Sequence, residues 1–151
     1  MKKVYSISFV AVIGGFLFGY DTAVISGAIE SLNQYFIVPM DLVEQTANSL
    51  LGFIVACALI GCIIGSALGG YFSRKFGRKH SLLLAALLFL ISSFGSAVPE
   101  LGIITSGGKA VMISFIVFRI MGGIGIGLAS VLSPMYIAEV SPAKVRGKLV
   151  S

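Results

Sequence analysis

The sequence predicts an all-α membrane protein with four transmembrane helices, and three observations carry that expectation. Of 151 residues, 57% are hydrophobic and only 11% are charged, against roughly 25% charged in typical soluble domains. The mean hydropathy is +1.03. Four apolar segments reach the ~20 residues needed to cross a hydrocarbon core of ~30 Å. So few charges do not cover the surface of a water-soluble fold, so lipid is the expected solvent.

The first helix is expected over about 6–28. It is uncharged from Val4 to Tyr20, meets Asp21, and carries no further charge until Glu30. The opening MKK resembles the start of a signal peptide. No small-residue cleavage site before polar mature sequence follows, however, and three more spans do, so a retained helix is expected. The second helix, about 49–71, lies within the 29-residue uncharged stretch Gln45 to Ser73. The third, about 81–98, lies within the 19-residue uncharged stretch Ser81 to Pro99. A short basic loop, 69–82, is expected between them. The fourth, about 111–137, contains Arg119, and Pro134 is expected to kink or end it.

The basic residues set the orientation. Lys2, Lys3, Arg74, Lys75, Arg78, Lys79, Lys144, Arg146 and Lys148, nine of the eleven, fall on one side of such a topology. The other side holds Lys109 with Glu30, Asp41, Glu44 and Glu100. An excess of Lys and Arg marks the cytoplasmic side, so a multi-pass protein of the cell (inner) membrane with both termini cytoplasmic is expected. The net charge of +5 is thereby explained without a nucleic-acid partner. His80 stands alone, so no metal cluster or cofactor is expected. Cys57 and Cys62, five residues apart on one helix, point to different sides and do not bridge. No nucleophile or acid–base cluster for an enzyme is present.

Small residues recur every fourth position: Gly15, Gly19, Ala23 and Gly27 in the first helix, Gly61, Gly65 and Gly69 in the second. Such stripes let helix backbones approach closely in lipid. GGIGIG at 122–127 has the wrong spacing and no preceding strand for a dinucleotide fingerprint. It shares a G-G-x-x-x-G frame with GGFLFG at 14–19, a weak trace of inverted symmetry of the kind transporters use.

Two charges inside apolar helices need an explanation. A charge at the bilayer centre costs at least about 2.5–3.5 kcal/mol. Asp21 and Arg119 enter from opposite sides to overlapping depths, so pairing is the simplest solution. Burial favours a neutral carboxyl and an adjacent guanidinium favours a charged one. Small changes in separation then load or release a proton, while arginine stays charged. On the cytoplasmic side Glu139, in PMYIAEVSPAKVRGK (134–148), is expected to pair with Arg146 or with the first basic loop and so latch that mouth.

GGFLFGYD in the first helix, G-x-x-x-R-K-x-G-R-K after the second, an arginine in the fourth, and P-x-Y-x-x-E-x-x-P-x-x-x-R-G after it occur in that order. Together they resemble the sugar porter family of the major facilitator superfamily. The resemblance implies twelve helices in two six-helix bundles, of which residues 1–151 are part of the first, with a fifth helix beginning at the C-terminus. It implies alternating-access, proton-coupled transport of D-xylose or a similar monosaccharide, so the expected partners are that sugar, the proton and the bilayer. By the same resemblance Asp21 is the coupling carboxylate, Arg119 its partner and Phe18 a sugar-lining aromatic. Gly70, Arg74, Lys75, Gly77, Arg78, Lys79, Glu139 and Arg146 match cytoplasmic gate motifs. Arg74 departs from the motif, which usually has Asp or Asn there. In facilitative relatives the Asp21 position is typically not acidic, which favours proton symport. The family's other sugar ligands lie on later helices, so a truncated chain, inactive by itself, is expected. A non-transporting four-helix assembly or regulatory subunit is the alternative.

Overall fold

The computed structural model describes residues 2–98, 108–142 and 147. It contains three long helices: α1 (Lys2–Leu32), α2 (Glu44–Ala97) and α3 (Gly108–Val140). Among the described residues there is no strand. After α1 the chain tightens through a π-helical turn, Asn33–Ile37, and a 3₁₀ turn, Val38–Met40, that contains Pro39. Asp41 then adopts a left-handed conformation, φ 47°, a region open to Asp because its short polar side chain bonds locally.

Helix α2 has 54 residues, which at ~1.5 Å per residue would be a rod of ~80 Å. It is not one rod. Gly77 has φ 76° and ψ 160°, a non-helical backbone essentially open only to glycine. The break divides α2 into arms 44–76 and 78–97, and both pack on α3 in opposite directions. Along the first arm Gly61, Gly65 and Gly69 meet Ile120, Ile124 and Val131 in ascending order. Along the second arm Ala85 lies against Gly125, Ser92 against Gly122, and Gly95 against Phe118, in descending order. The arms are therefore antiparallel, a hairpin clasping α3. Instead of the predicted basic loop over 69–82, the chain stays helical right up to Gly77 on both sides. A single residue free to leave helical φ/ψ suffices to reverse direction.

Glycine makes this clasp possible. A Cβ at Gly123 or Gly127 would collide with the Ala58 or Cys62 carbonyl, and one at Gly61 or Gly65 with the Ile120 or Ile124 carbonyl. The GGIGIG run thus presents Gly123 and Gly127 to one arm and Gly122 and Gly125 to the other. Such close approach is how helices associate in lipid, where burial gives little drive. By contrast, nothing lies within 4 Å of a Cβ placed at Gly15, Gly19 or Gly27, so the small face of α1 is open.

Helix α1 runs antiparallel to α3: Asp21 meets Arg119, and Phe36 beyond the helix end packs on Phe115, ring centroids 5.6 Å apart. Ile25, Leu32, Phe36, Ile37, Ile54 and Phe115 form one buried cluster near this end. Ala85, Leu128 and Leu132 form a second toward the other. Pro134 neither ends nor divides α3, which continues to Val140. It cannot donate a backbone hydrogen bond there, and Leu132 and Ile137 on either side of it are buried. Phe9, Phe16, Ile63, Leu83 and Phe94 are 68–72% exposed, an outer surface suited to lipid. Glu44–Ala97 and Ala110–Val140 are long and apolar enough to cross a membrane.

Candidate functional site

Asp21 sits about two-thirds of the way along α1 and Arg119 on the fourth turn of α3. The structure joins them: Arg119 Nη1 donates to both carboxylate oxygens, at 2.7 Å to Oδ1 and 2.9 Å to Oδ2. The arginine side chain is 9% exposed and the aspartate 24%. The guanidinium is thus locked in the bundle while the carboxylate keeps an edge toward solvent-sized space. Nε of Arg119 is buried and has no hydrogen-bond partner among the described residues, so the carboxylate supplies most of the compensation for this buried cation. Buried charges persist only when paired in this way.

The two partners are held differently. Arg119 is gripped from both arms of α2. Ser92 Oγ donates to the carbonyl of Phe118, the preceding residue, and on the other side the first arm presses Gly61 against Ile120. The Cys57 thiol, fully buried, lies beside the guanidinium. Both cysteines are free. Asp21 rides on α1, whose glycine face is open. Phe18, one turn before Asp21, is about half exposed, and its carbonyl accepts a hydrogen bond from Thr22 Oγ1 at 3.0 Å.

At the end where α2 turns, Arg78 Nη2 lies 2.8 Å from Glu139 Oε1. This pair joins the Gly77 corner to the C-terminal turn of α3. Gly77 is the break itself. Gly70 has open space around it, while Arg74, Lys75 and Lys79 are exposed and form no ion pair among the described residues. Lys75 Nζ sits 5.6 Å from the Tyr71 ring centroid and 5.5 Å from that of Phe76. Arg146 and the expected start of a fifth helix lie outside the described residues. The pairing of Asp21 with Arg119 was legible from their lone charges in apolar helices. The Ser92 tie and the place of Cys57 were not, since a serine or cysteine in an apolar run carries no distinguishing pattern.

The chain matches the family model described as "Sugar (and other) transporter" over residues 7–151. It is 60% identical to the D-xylose-proton symporter of Escherichia coli K12, covering 98% of this chain and 32% of that protein. It is 42% identical to the glucose facilitated diffusion protein of Zymomonas mobilis, covering 96% of this chain and 30% of the relative. The arabinose-proton symporter of Bacillus subtilis is 40% identical, over 100% of this chain and 29% of its own length. The fold superposes on the inward-open xylose transporter XylE from E. coli with a TM-score of 0.89 at 60% identity, covering 97% of this chain and 35% of that one. A partially occluded inward-open form of the same transporter gives 0.90 at 59% identity, covering 97% and 36%. The chain spans about a third of the length of these relatives. On this sequence, this helical clasp and this match, the chain belongs to the sugar transporter family of the major facilitator superfamily.

Proposed function

We infer that this chain is the first third of a proton-coupled monosaccharide symporter, with D-xylose or a similar sugar as substrate. In this reading α1, the two arms of α2 and α3 are four membrane spans of an N-terminal six-helix bundle. The basic end, with the Gly77 corner and both termini, faces the cytoplasm of the inner membrane, as the positive-inside rule favours. The observation that carries the reading is the ion pair of Asp21 and Arg119 inside the bundle. The relatives include symporters and a facilitated-diffusion protein, so family membership alone does not assign coupling. An ionisable acid held against a fixed cation is what supports the symport reading over facilitated diffusion.

The mechanism follows from the pair. With Asp21 charged, Coulomb attraction holds α1 to α3. A proton entering from the open edge of the carboxylate neutralises it and removes that attraction. Arg119, clamped between the arms of α2, stays charged and in place, so α1 is the element free to shift. When the site opens to the other side, Arg119 favours the charged carboxylate and the proton leaves. The membrane potential adds about 2.3 kcal/mol per charge per 100 mV. Phe18, one turn from the pair, lines the sugar path, and the bond between Arg78 and Glu139 latches the cytoplasmic end with Gly70, Arg74, Lys75, Lys79 and Arg146 around it.

The test joins residues 1–151 to the remaining two thirds of the E. coli symporter and follows sugar-driven alkalinisation in vesicles. Asp21→Asn is expected to abolish accumulation against a gradient while leaving sugar exchange intact. Accumulation that survives Asp21→Asn overturns the coupling role.

A further inference from the structure

The pair of Asp21 and Arg119 does not take the arrangement that an arginine and a carboxylate form most strongly. That arrangement is a fork, two guanidinium nitrogens in parallel on two oxygens. Here Nη1 alone reaches both oxygens, at 2.7 and 2.9 Å. The guanidinium is held turned out of the fork, and the first arm of α2 carries a group placed to hold it.

Gly61 meets Ile120 and Gly65 meets Ile124, so Cys57, one turn before Gly61, stands level with residues 116–120 of α3. Ile54, three residues earlier, shares a buried cluster with Phe115, which gives the same register. The Cys57 side chain is fully buried, and the Arg119 side chain is its hydrogen-bonding neighbour. A thiol carries one proton and a weakly accepting sulfur. That proton is committed, because Sγ donates to the Ile54 carbonyl at 3.1 Å. Toward Arg119 the sulfur is therefore an acceptor. The guanidinium has a donor to give: its Nε is covered by this chain's own atoms and has no hydrogen-bond partner among the described residues. The cation is thus drawn from two sides, by a carboxylate on α1 and by a sulfur on α2.

We propose that Cys57 is a positioning residue for proton coupling, its sulfur holding the Arg119 guanidinium toward α2 and out of the fork with Asp21. The inference rests on the symport reading above and deepens it. Bound through one nitrogen, the charged pair parts readily and α1 is free to shift. Without the sulfur the guanidinium swivels to offer two nitrogens, the charged pair tightens, and the coupled step slows.

Two measurements test this. The first uses the purified 151-residue chain in detergent, with Cys62→Ala leaving Cys57 as its single thiol, and reads the infrared S–H stretch. A sulfur that accepts from a cation donates more strongly, because hydrogen bonds in a chain polarise one another. The further substitution D21L/R119L is therefore expected to move the band to higher frequency, and an unmoved band overturns the contact. This readout involves no transport, so it stands or falls independently of the symport reading. The second uses the joined transporter described above. Cys57→Ala is expected to lower the maximal rate of sugar-driven alkalinisation about tenfold more than it lowers sugar exchange, the scale of one added charge-assisted hydrogen bond. The sugar concentration at half-maximal rate should not move. Cys57→Ser, which keeps one proton and an acceptor, should restore the rate. Should Cys57→Ala fail to fold, Cys57→Val fills the volume without an acceptor and is expected to slow symport likewise. Symport and exchange falling together in Cys57→Ala, or Cys57→Ser as slow as Cys57→Val, would overturn the proposal.

Discussion

Removing the Asp21 carboxylate leaves Arg119 as a cation only 8% exposed with nothing opposite it. Breaking a buried pair from one side costs about 3–5 kcal/mol, whereas replacing both partners by apolar residues is often neutral. Asp21→Ala is therefore expected to destabilise the chain by several kcal/mol, and Asp21→Asn by less, since its amide oxygen still accepts from Nη1. The double substitution D21L/R119L should be milder than Asp21→Ala. Chemical unfolding of the chain in one detergent measures all three, and a double substitution as costly as Asp21→Ala would show that packing, not charge, dominates the site. The pair itself was readable, because an acid and a base each alone in an apolar helix have few other solutions. Its asymmetry was not. That Arg119 is fixed and Asp21 half-open depends on Ser92 and Gly61 reaching α3 from two separate arms, contacts 26 or more residues apart.

At the scale of the helices, glycine position decides the outcome of substitution. A Cβ at Gly123 meets the Ala58 carbonyl, which is backbone and cannot rotate away. Gly123→Ala is expected to cost about 1–3 kcal/mol by overpacking. Gly19→Ala faces open space and should stabilise α1 by about 0.5–1 kcal/mol through helix propensity. Thermal unfolding of the two variants separates the stripes, and equal effects would mean that the clasp is looser than the geometry shows. Gly77→Ala forces an L residue to φ 76°, ψ 160°, at a cost of about 1–3 kcal/mol. It is expected to open the hairpin, measurable as a longer spin-label distance between residues 68 and 90. The sequence showed the glycine stripes but not which one is used within this chain. It likewise placed a loop where helix persists to Gly77, because a run of basic residues looks the same in a loop and in the last turns of a helix.

At the scale of the whole molecule, the three helices and one break among the described residues enclose an ion pair on one side only. Phe18 and the small face of α1 stay open, and the relatives are about three times longer. The 151-residue chain alone in proteoliposomes is expected to give no sugar-driven alkalinisation, and a sugar-dependent pH rise above the lipid-only control would contradict this.

The sequence by itself determined the apolar segments, the uneven distribution of charge between them and the family, because composition, charge spacing and ordered motifs are local properties. Only the tertiary structure decided that α2 folds back at a single glycine, that GGIGIG is wedged between its two arms, and that Arg119 is clamped while Asp21 is left with an open edge. Those depend on which surfaces meet across dozens of residues, and backbone contact at a glycine leaves no side chain in the sequence to announce it.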